Sequence, residues 1–361
     1  MDKMNSFVEF LKSPYQSLEF LKYPDTKGSH QAICAARSLE ELHPPKAKSQ
    51  LPAAESTEDC VEGPLIYPLQ EMAAGVAQRK MEWAAKGTHL GGVPRKAVIA
   101  AVGAFAKVTA LLLNSTSVHN ADTLLRLVRF RRPGVPLITV SNHISTLDDP
   151  IMWGFKGFPV MDARLARWVL AAEDICFKNS LLSYFFRLGK CIPITRGGGI
   201  YQEHMNEALE RLSGGEWLHT FPEGKVCQDD APIRRLKWGT ASLIDRSPVT
   251  PIVLPIMHRG LEEVMPEKFF RGKRPPFPLW NKRINVVVGE PIEFNLPEMR
   301  KTAISTSRDV ASAPTIGWPS ISPHGLDEAA QRCLYVAISG RIQAAMESLR
   351  SFSKVFLKPK S

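Results

Sequence analysis

Residues 136–150 read PLITVSNHISTLDDP, and the change of character within them decides the fold. Leu137, Ile138, Thr139 and Val140 form an apolar, β-branched run of strand length, and Ser141, Asn142 and His143 end it. The run predicts a short buried strand and the polar segment the loop at its exit. Ser145 or Thr146 is the expected N-cap of a following helix that continues through Ile151–Phe158. Asp148 and Asp149 would then sit in its first turn, where the dipole favours negative charge. This places a carboxylate about one turn from an imidazole. Asp148 can hold one ring nitrogen of His143 while the other accepts a proton, as general-base chemistry requires. The competing reading is a loop histidine beside capping aspartates.

Outward from this loop the same alternation repeats. Apolar strands are expected at Leu165–Ala172, Lys190–Arg196, Trp217–Phe221, Val249–Ile256 and Ile284–Val288. Pro193 inside the second of these assigns it to a sheet edge or a strand end. Helical spacing is read in Leu181–Leu188, Tyr201–Leu212, Ala241–Ile244 and, over a longer span, Leu326–Phe352. Strands alternating with helices point to an α/β domain with a central sheet. Residues 71–86 also resemble a helix.

The chain has 361 residues, 44% of them hydrophobic, with a net charge of +10 and a pI near 9.3. That balance predicts an anionic partner such as a phosphate-bearing substrate or an anionic membrane surface. Nucleic acid is not expected, because zinc-finger spacing and a basic helix with heptads are both missing. The six cysteines are scattered without a C-x-x-C pair, which argues against a disulfide framework and a metal site. Ala97–Leu113 is apolar over about 17 residues, but Lys107 interrupts it. It is expected to be a buried or interfacial helix rather than a span. Asp2, Glu9 and Glu19 spoil a secretory or mitochondrial leader pattern.

Three further loops carry polar chemistry. GKCIPITRGGG places Arg196 at a strand end, suited to bidentate phosphate contact, before Gly197 and two more glycines that let backbone approach an anion; taken alone, an ordinary glycine turn with a surface arginine is the favoured reading. FPEGK offers Pro222 to stiffen the turn, Glu223 to accept hydroxyl hydrogen bonds, Gly224, and the positive charge of Lys225. TPIVLPI, bounded by Pro251 and Pro255, is either the wall of an acyl-chain groove or plain core. Lys237 and Trp238 are read as an interfacial contact or a packed turn, and His258 as a structural or surface residue.

Together these four blocks, in this order, resemble the glycerolipid acyltransferase family, with H-x-x-x-x-D, G-x-x-x-I-x-R, F-P-E-G and a proline-containing apolar strand. NHISTLDDP, GKCIPITRGGGIYQ, FPEGKV, RRLKWG and PIVLPIMHRGLEEVMP narrow the resemblance to the tafazzin-like branch, over roughly residues 90–295. It implies a central mixed sheet flanked by helices, with a flexible N-terminal extension and a C-terminal helix. The expected divisions are an extension over 1–75, a helix and membrane-interface segment over 76–117, and an acyltransferase domain over 118–299. A Ser/Ala/Pro-rich insertion over 300–324 and a helix with a basic tail over 325–361 follow.

The resemblance further implies transfer between a phospholipid and a lysophospholipid, and cardiolipin remodelling. It implies mitochondrial membranes facing the intermembrane space as the location. His143 would be the base and Asp148 its orienter, with no acyl-enzyme, since no G-x-S-x-G elbow is present. Arg196, Pro222, Glu223, Gly224 and Lys225 would bind the acceptor, supported by Asn142, Asp149 and Gly197. No cofactor or metal is expected. Acyl-CoA enters only as donor in the alternative, a CoA-dependent lysophospholipid or phosphatidylethanolamine N-acyltransferase. A non-catalytic lipid-binding scaffold is the alternative from another class, and the intact His143 and Asp148 speak against it.

Overall fold

The central strand begins at Leu137, as expected, and all five residues of Leu137–Ser141 are buried. The computed structural model describes residues 81–308 and 318–356, all within one compact unit, Pro68–Ser361. The extension expected over 1–75, most of the helix expected over 71–86, and the basic tail from 357 lie outside the described residues.

In chain order the elements are α1 (Val93–Lys107, continued by a wider π turn to Leu113), β1 (Ser115–His119), α2 (Ala121–Phe130), β2 (Leu137–Ser141) and α3 (Asp148–Ile151). Then follow β3 (Trp168–Ala172), α4 (Glu173–Cys176), α5 (Ser180–Leu188), β4 (Cys191–Ile194), α6 (Glu203–Ser213) and β5 (Trp217–Thr220). The chain closes with α7 (Gly239–Arg246), β6 (Ile252–Arg259), α8 (Leu261–Val264), β7 (Arg283–Val288), α9 (Leu296–Ser307) and α10 (Glu328–Phe356).

The strands form one mixed sheet in the order β1-β7-β6-β2-β5-β3-β4. All neighbours are parallel except β6 and β7. β4, with Pro193, is an edge strand, where a missing backbone donor costs least. β2 lies inside the sheet between β5 and β6, so its exit loop opens where the carboxyl ends of three parallel strands meet. That crevice is the usual ligand position of such sheets.

Side-chain alternation sorts the core onto the two faces. Ile138, Val140, Leu218, Val253 and Met257 face a cluster completed by Leu334, Ile338 and Ile342 of α10. Leu137, Trp217, Leu254 and Ile256 face a second cluster with Leu124, Val128 and Trp153. Each such fully buried side chain contributes roughly 1.5–3 kcal/mol before entropy is counted. The apolar segment at Ala97–Leu113 is helical. Ile99, Gly103, Ala106, Thr109 and Ala110 are buried, while Phe105, Val108 and Leu111–Leu113 are exposed. The run His89–Leu113 is long and apolar enough to cross a bilayer by length and composition. α1 also presses on the segment that follows α3: a Cβ on Gly154 would lie 2.3 Å from the carbonyl oxygen of Ala106. Only glycine permits that approach.

Three expectations are corrected. The helix expected to continue through Ile151–Phe158 is a single turn, Asp148–Ile151, interrupted by the extended backbone of Asp149. Neither Ser145 nor Thr146 caps it: the cap position is Leu147, which makes no side-chain cap bond. The reason is that Asp148 turns its carboxylate back onto the loop, as described below. The linker composition read from residue 300 onward begins inside a helix, because α9 runs to Ser307 with Asn295 capping it. Its alanine, threonine and serine content is compatible with helix once Leu296 and Ala303 are buried.

Candidate active site

His143 stands two residues beyond β2, partly exposed, and its Nδ1 lies 2.8 Å from Asp148 Oδ2. The imidazole keeps 23% of its side-chain surface accessible while the carboxylate keeps none. Asp148 Oδ2 also accepts the backbone N–H of Ile144 at 2.7 Å and of Ser145 at 2.9 Å. Three donors converge on one oxygen, so the five-residue spacing forms a closed ring of contacts rather than a helix cap. With Nδ1 engaged as a donor, Nε2 is the ring's acceptor nitrogen.

The ring plane is fixed from one side by Phe221, stacked on His143 at 4.2 Å between centroids and 21° between planes. Phe221 in turn meets His219 edge-on at 4.6 Å. His219 is fully buried between Thr139 Oγ1 at 2.8 Å and Ser141 Oγ at 3.3 Å. Burial pushes its imidazole well below the usual range, so it stays neutral. Among the described histidines near the crevice, His143 is partly exposed while His219 and His258 are fully buried.

FPEGK closes the second wall. Glu223 Oε1 accepts the backbone N–H of His143 at 3.3 Å. Burial raises the Glu223 carboxyl above its ordinary value, opposed by the backbone N–H groups of His143 and Arg234. Gly224 adopts φ 73°, a left-handed position that favours glycine. The backbone of Lys237 donates to the Pro222 carbonyl at 2.7 Å. Lys237 and Trp238 thus belong to a packed turn, Trp238 lying 6.1 Å from Trp318. Lys225 is exposed.

The remaining positions are distributed as follows. Asn142 clamps β2 to β6, donating from Nδ2 to the His258 carbonyl at 2.9 Å and accepting the His258 N–H at 3.0 Å. Asp149 is paired with Arg167, whose Nε donates at 2.7 Å, and so supports the loop from behind. Arg196 and Gly197 are exposed at the β4 exit, and Arg196 pairs with Asp174 at 3.3 Å. The structure therefore joins His143, Asp148, Glu223 and Asn142 directly, and sets Arg196 and Lys225 at the surface. β6 is core over Val253–His258, which favours the plain-core reading of TPIVLPI.

Sequence reasoning missed two residues. Phe221 was read as a strand end, although its place before Pro222 puts it beside the β2 exit through the pairing of Val140 with Thr220. His258, read as structural or surface, is completely buried, with Nδ1 3.8 Å from Asp148 Oδ1. The available signal was strand alternation, since positions 254, 256 and 258 share the face that the 148–158 segment covers.

The acyltransferase family profile matches residues 115–259, from β1 to the end of β6. An N-acylphosphatidylethanolamine synthase from Arabidopsis thaliana is 66% identical over 278 residues, covering 76% of this chain and 98% of the relative. A tafazzin from Drosophila melanogaster is 42% identical over 199 residues, covering 55% of this chain and 51% of the relative. The tafazzin of Saccharomyces cerevisiae is 31% identical, covering 47% of this chain and 55% of the relative. The chain thus spans about half the length of these two tafazzins and nearly all of the plant relative.

Proposed function

The chain belongs to the acyltransferase family, on its tafazzin-like side, and from that premise we propose that it moves a fatty acyl group between phospholipids by direct attack of an acceptor on the donor ester. The observation that carries this reading is the 2.8 Å contact from His143 Nδ1 to the buried Asp148, with the imidazole itself partly exposed. Nε2 takes the proton from the acceptor hydroxyl as its oxygen attacks the acyl carbonyl. The tetrahedral intermediate collapses, and the departing alkoxide receives that proton back from the imidazolium. Asp148 stabilises the imidazolium while it exists, at a place where water cannot screen it. Exposed Arg196 and Lys225 are suited to lipid phosphate, and Glu223 to the glycerol portion. Under this reading monolysocardiolipin is among the acceptors, and mitochondrial membranes facing the intermembrane space are the working location.

The substrate must enter from a bilayer, and the surface around the crevice fits one. Leu112 is 78% exposed at the end of the helical run from α1, and Phe277 and Trp280 are 77% and 70% exposed. The Asn281 N–H donates to the Leu113 carbonyl at 2.7 Å, so the two apolar tips adjoin. Lys268, Arg271, Lys273 and Arg274, exposed along the same loop, add charge for an anionic leaflet.

A second reading is favoured by the plant relative, whose name specifies N-acylation of phosphatidylethanolamine. The same base would then take the proton from the ethanolamine nitrogen. Vesicles holding labelled phosphatidylcholine, a panel of lysophospholipids including monolysocardiolipin, and phosphatidylethanolamine separate the two, with and without acyl-CoA. Label moving to lysolipid hydroxyls without CoA supports the transacylase. Label appearing as an amide on phosphatidylethanolamine supports the second reading. Transfer by His143→Ala at the wild-type rate would defeat both.

A further inference from the structure

Asp148 uses only one of its oxygens. Oδ2 receives three donors, whereas Oδ1 is buried with no hydrogen-bond partner among the described residues. His258 Nδ1 lies 3.8 Å from Oδ1. His258 is also completely buried, and neither of its ring nitrogens has a hydrogen-bond partner among the described residues. Two unmatched polar groups, a bare carboxylate oxygen and a bare imidazole, thus face each other. Left unmade, each costs a desolvation penalty that a native core rarely tolerates.

We propose that His258 is a positioning residue for the acyl transfer, donating from Nδ1 to Asp148 Oδ1, so that one carboxylate is shared between two histidines. This rests on the reading of His143 as the base. The present separation exceeds a finished hydrogen bond by about 1 Å. A small turn of the ring closes it, and catalytic contacts commonly tighten when substrate is bound. The surroundings allow the ring to be held while it turns. Its backbone is pinned at both polar atoms by Asn142, the residue preceding His143. One wall of its pocket is a cleft of about 60 Å³ lined by Asn142, Ile144, Glu223, Gln228 and Arg259.

The contact has a direction of effect. A donor on Oδ1 favours the carboxylate form of a buried Asp148, and draws charge from the oxygen that faces His143. Both effects make the pair easier to keep in its proton-accepting state. Removing the donor therefore moves the acid side of the rate profile to higher pH. Among the described residues, the other titratable or charged groups around His258 are His219 from β5, Glu223 beyond β5, and Cys227, Asp229, Asp230, Arg259, Glu262 and Arg350 at the outer cleft. His219 is held neutral by burial, and Asp230 is already paired with Arg259, Arg350 and Lys354.

The test measures kcat and KM against pH for the full chain in phosphatidylcholine vesicles with a lysophospholipid acceptor. For His258→Phe, the expected result is a kcat about 10-fold lower, KM within about twofold, and an acid limb displaced upward by about one pH unit. His258→Asn places an amide N–H where Nδ1 stands and restores both to near wild type. A phenylalanine variant with wild-type kcat and an unmoved limb overturns the inference, as does an asparagine variant equally impaired. Nitrogen NMR of the labelled wild-type protein needs no variant. It is expected to show His258 protonated at Nδ1, and an unprotonated Nδ1 overturns the proposal. An inactive His143→Ala beside a normal His258→Phe leaves the base assignment standing and removes this one. An active His143→Ala removes the reading beneath it.

Discussion

Among the described residues two aspartates, Asp148 and Asp245, are wholly buried, and their surroundings could hardly differ more. Asp245, on α7, is met by arginine: Arg300 of α9 donates from Nε to its Oδ1 at 2.8 Å and from Nη2 to its backbone carbonyl at 2.8 Å. His324 contacts the same carbonyl at 3.0 Å, and Tyr335 of α10 approaches Oδ2 at 3.5 Å. A permanent cation and three flanking elements make Asp245 a fastener for the helical layer. Asp148 is instead met by a group that can change its charge, and that group reaches solvent. A buried carboxylate facing a permanent cation holds structure. One facing a titratable, half-open partner can take part in moving a proton.

The difference is broken or sharpened by substitution. Asp148→Asn keeps the shape of the loop but removes the charge that stabilises an imidazolium. Acyl transfer should fall by about three orders of magnitude, with the melting temperature nearly unchanged. A variant that unfolds while its folded fraction turns over normally would place Asp148 with Asp245. Asp245→Ala should behave in the opposite sense. It strips a buried pair of one partner and should lower unfolding stability by about 3–5 kcal/mol in denaturant titrations. Activity per folded molecule should stay within about twofold.

A third buried charge tests the same logic through pH. Lys190 donates to the Ala166 carbonyl at 2.9 Å and lies 3.7 Å from Glu216. Burial pulls its ammonium down to about 8. The unfolded chain holds that proton more tightly, so between about pH 8 and 10.5 the unfolded state carries more protons. Stability contributed by this residue should therefore rise with pH across that window, by up to about 3 kcal/mol, and the penalty is complete below it. Lys190→Met should remove the rise when the two proteins' stability profiles are subtracted. An unchanged difference across the window would show that Lys190 keeps its proton at normal cost.

The strands around the His143 loop were legible because each is a short apolar run ended by polar or glycine-rich residues. β2, β3, β5 and β6 lie within a few residues of the expected places. The long helix α10 was legible for the same reason, with Ala330, Leu334, Ile338, Ile342 and Met346 buried along one stripe. β1 was missed, since Ser115–His119 is a polar edge strand with alternating exposure and little to distinguish it from a loop. The turn after Asp148 was misread because local capping rules compete there with a tertiary demand. The carboxylate serves His143, Ile144 and Ser145 rather than a helix end.

What the sequence by itself determined is the set of chemically able residues and their placement at strand exits. His143 and Asp148 lie five apart, close enough for local chain geometry to bring them together. What only the tertiary structure decided is which distant groups join them. Phe221 reaches His143 because β5 pairs with β2, and His258 reaches Asp148 because β6 pairs with β2 on its other side. Partnerships across 78 and 110 residues depend on strand order and register, which long-range packing sets and short-range spacing does not encode.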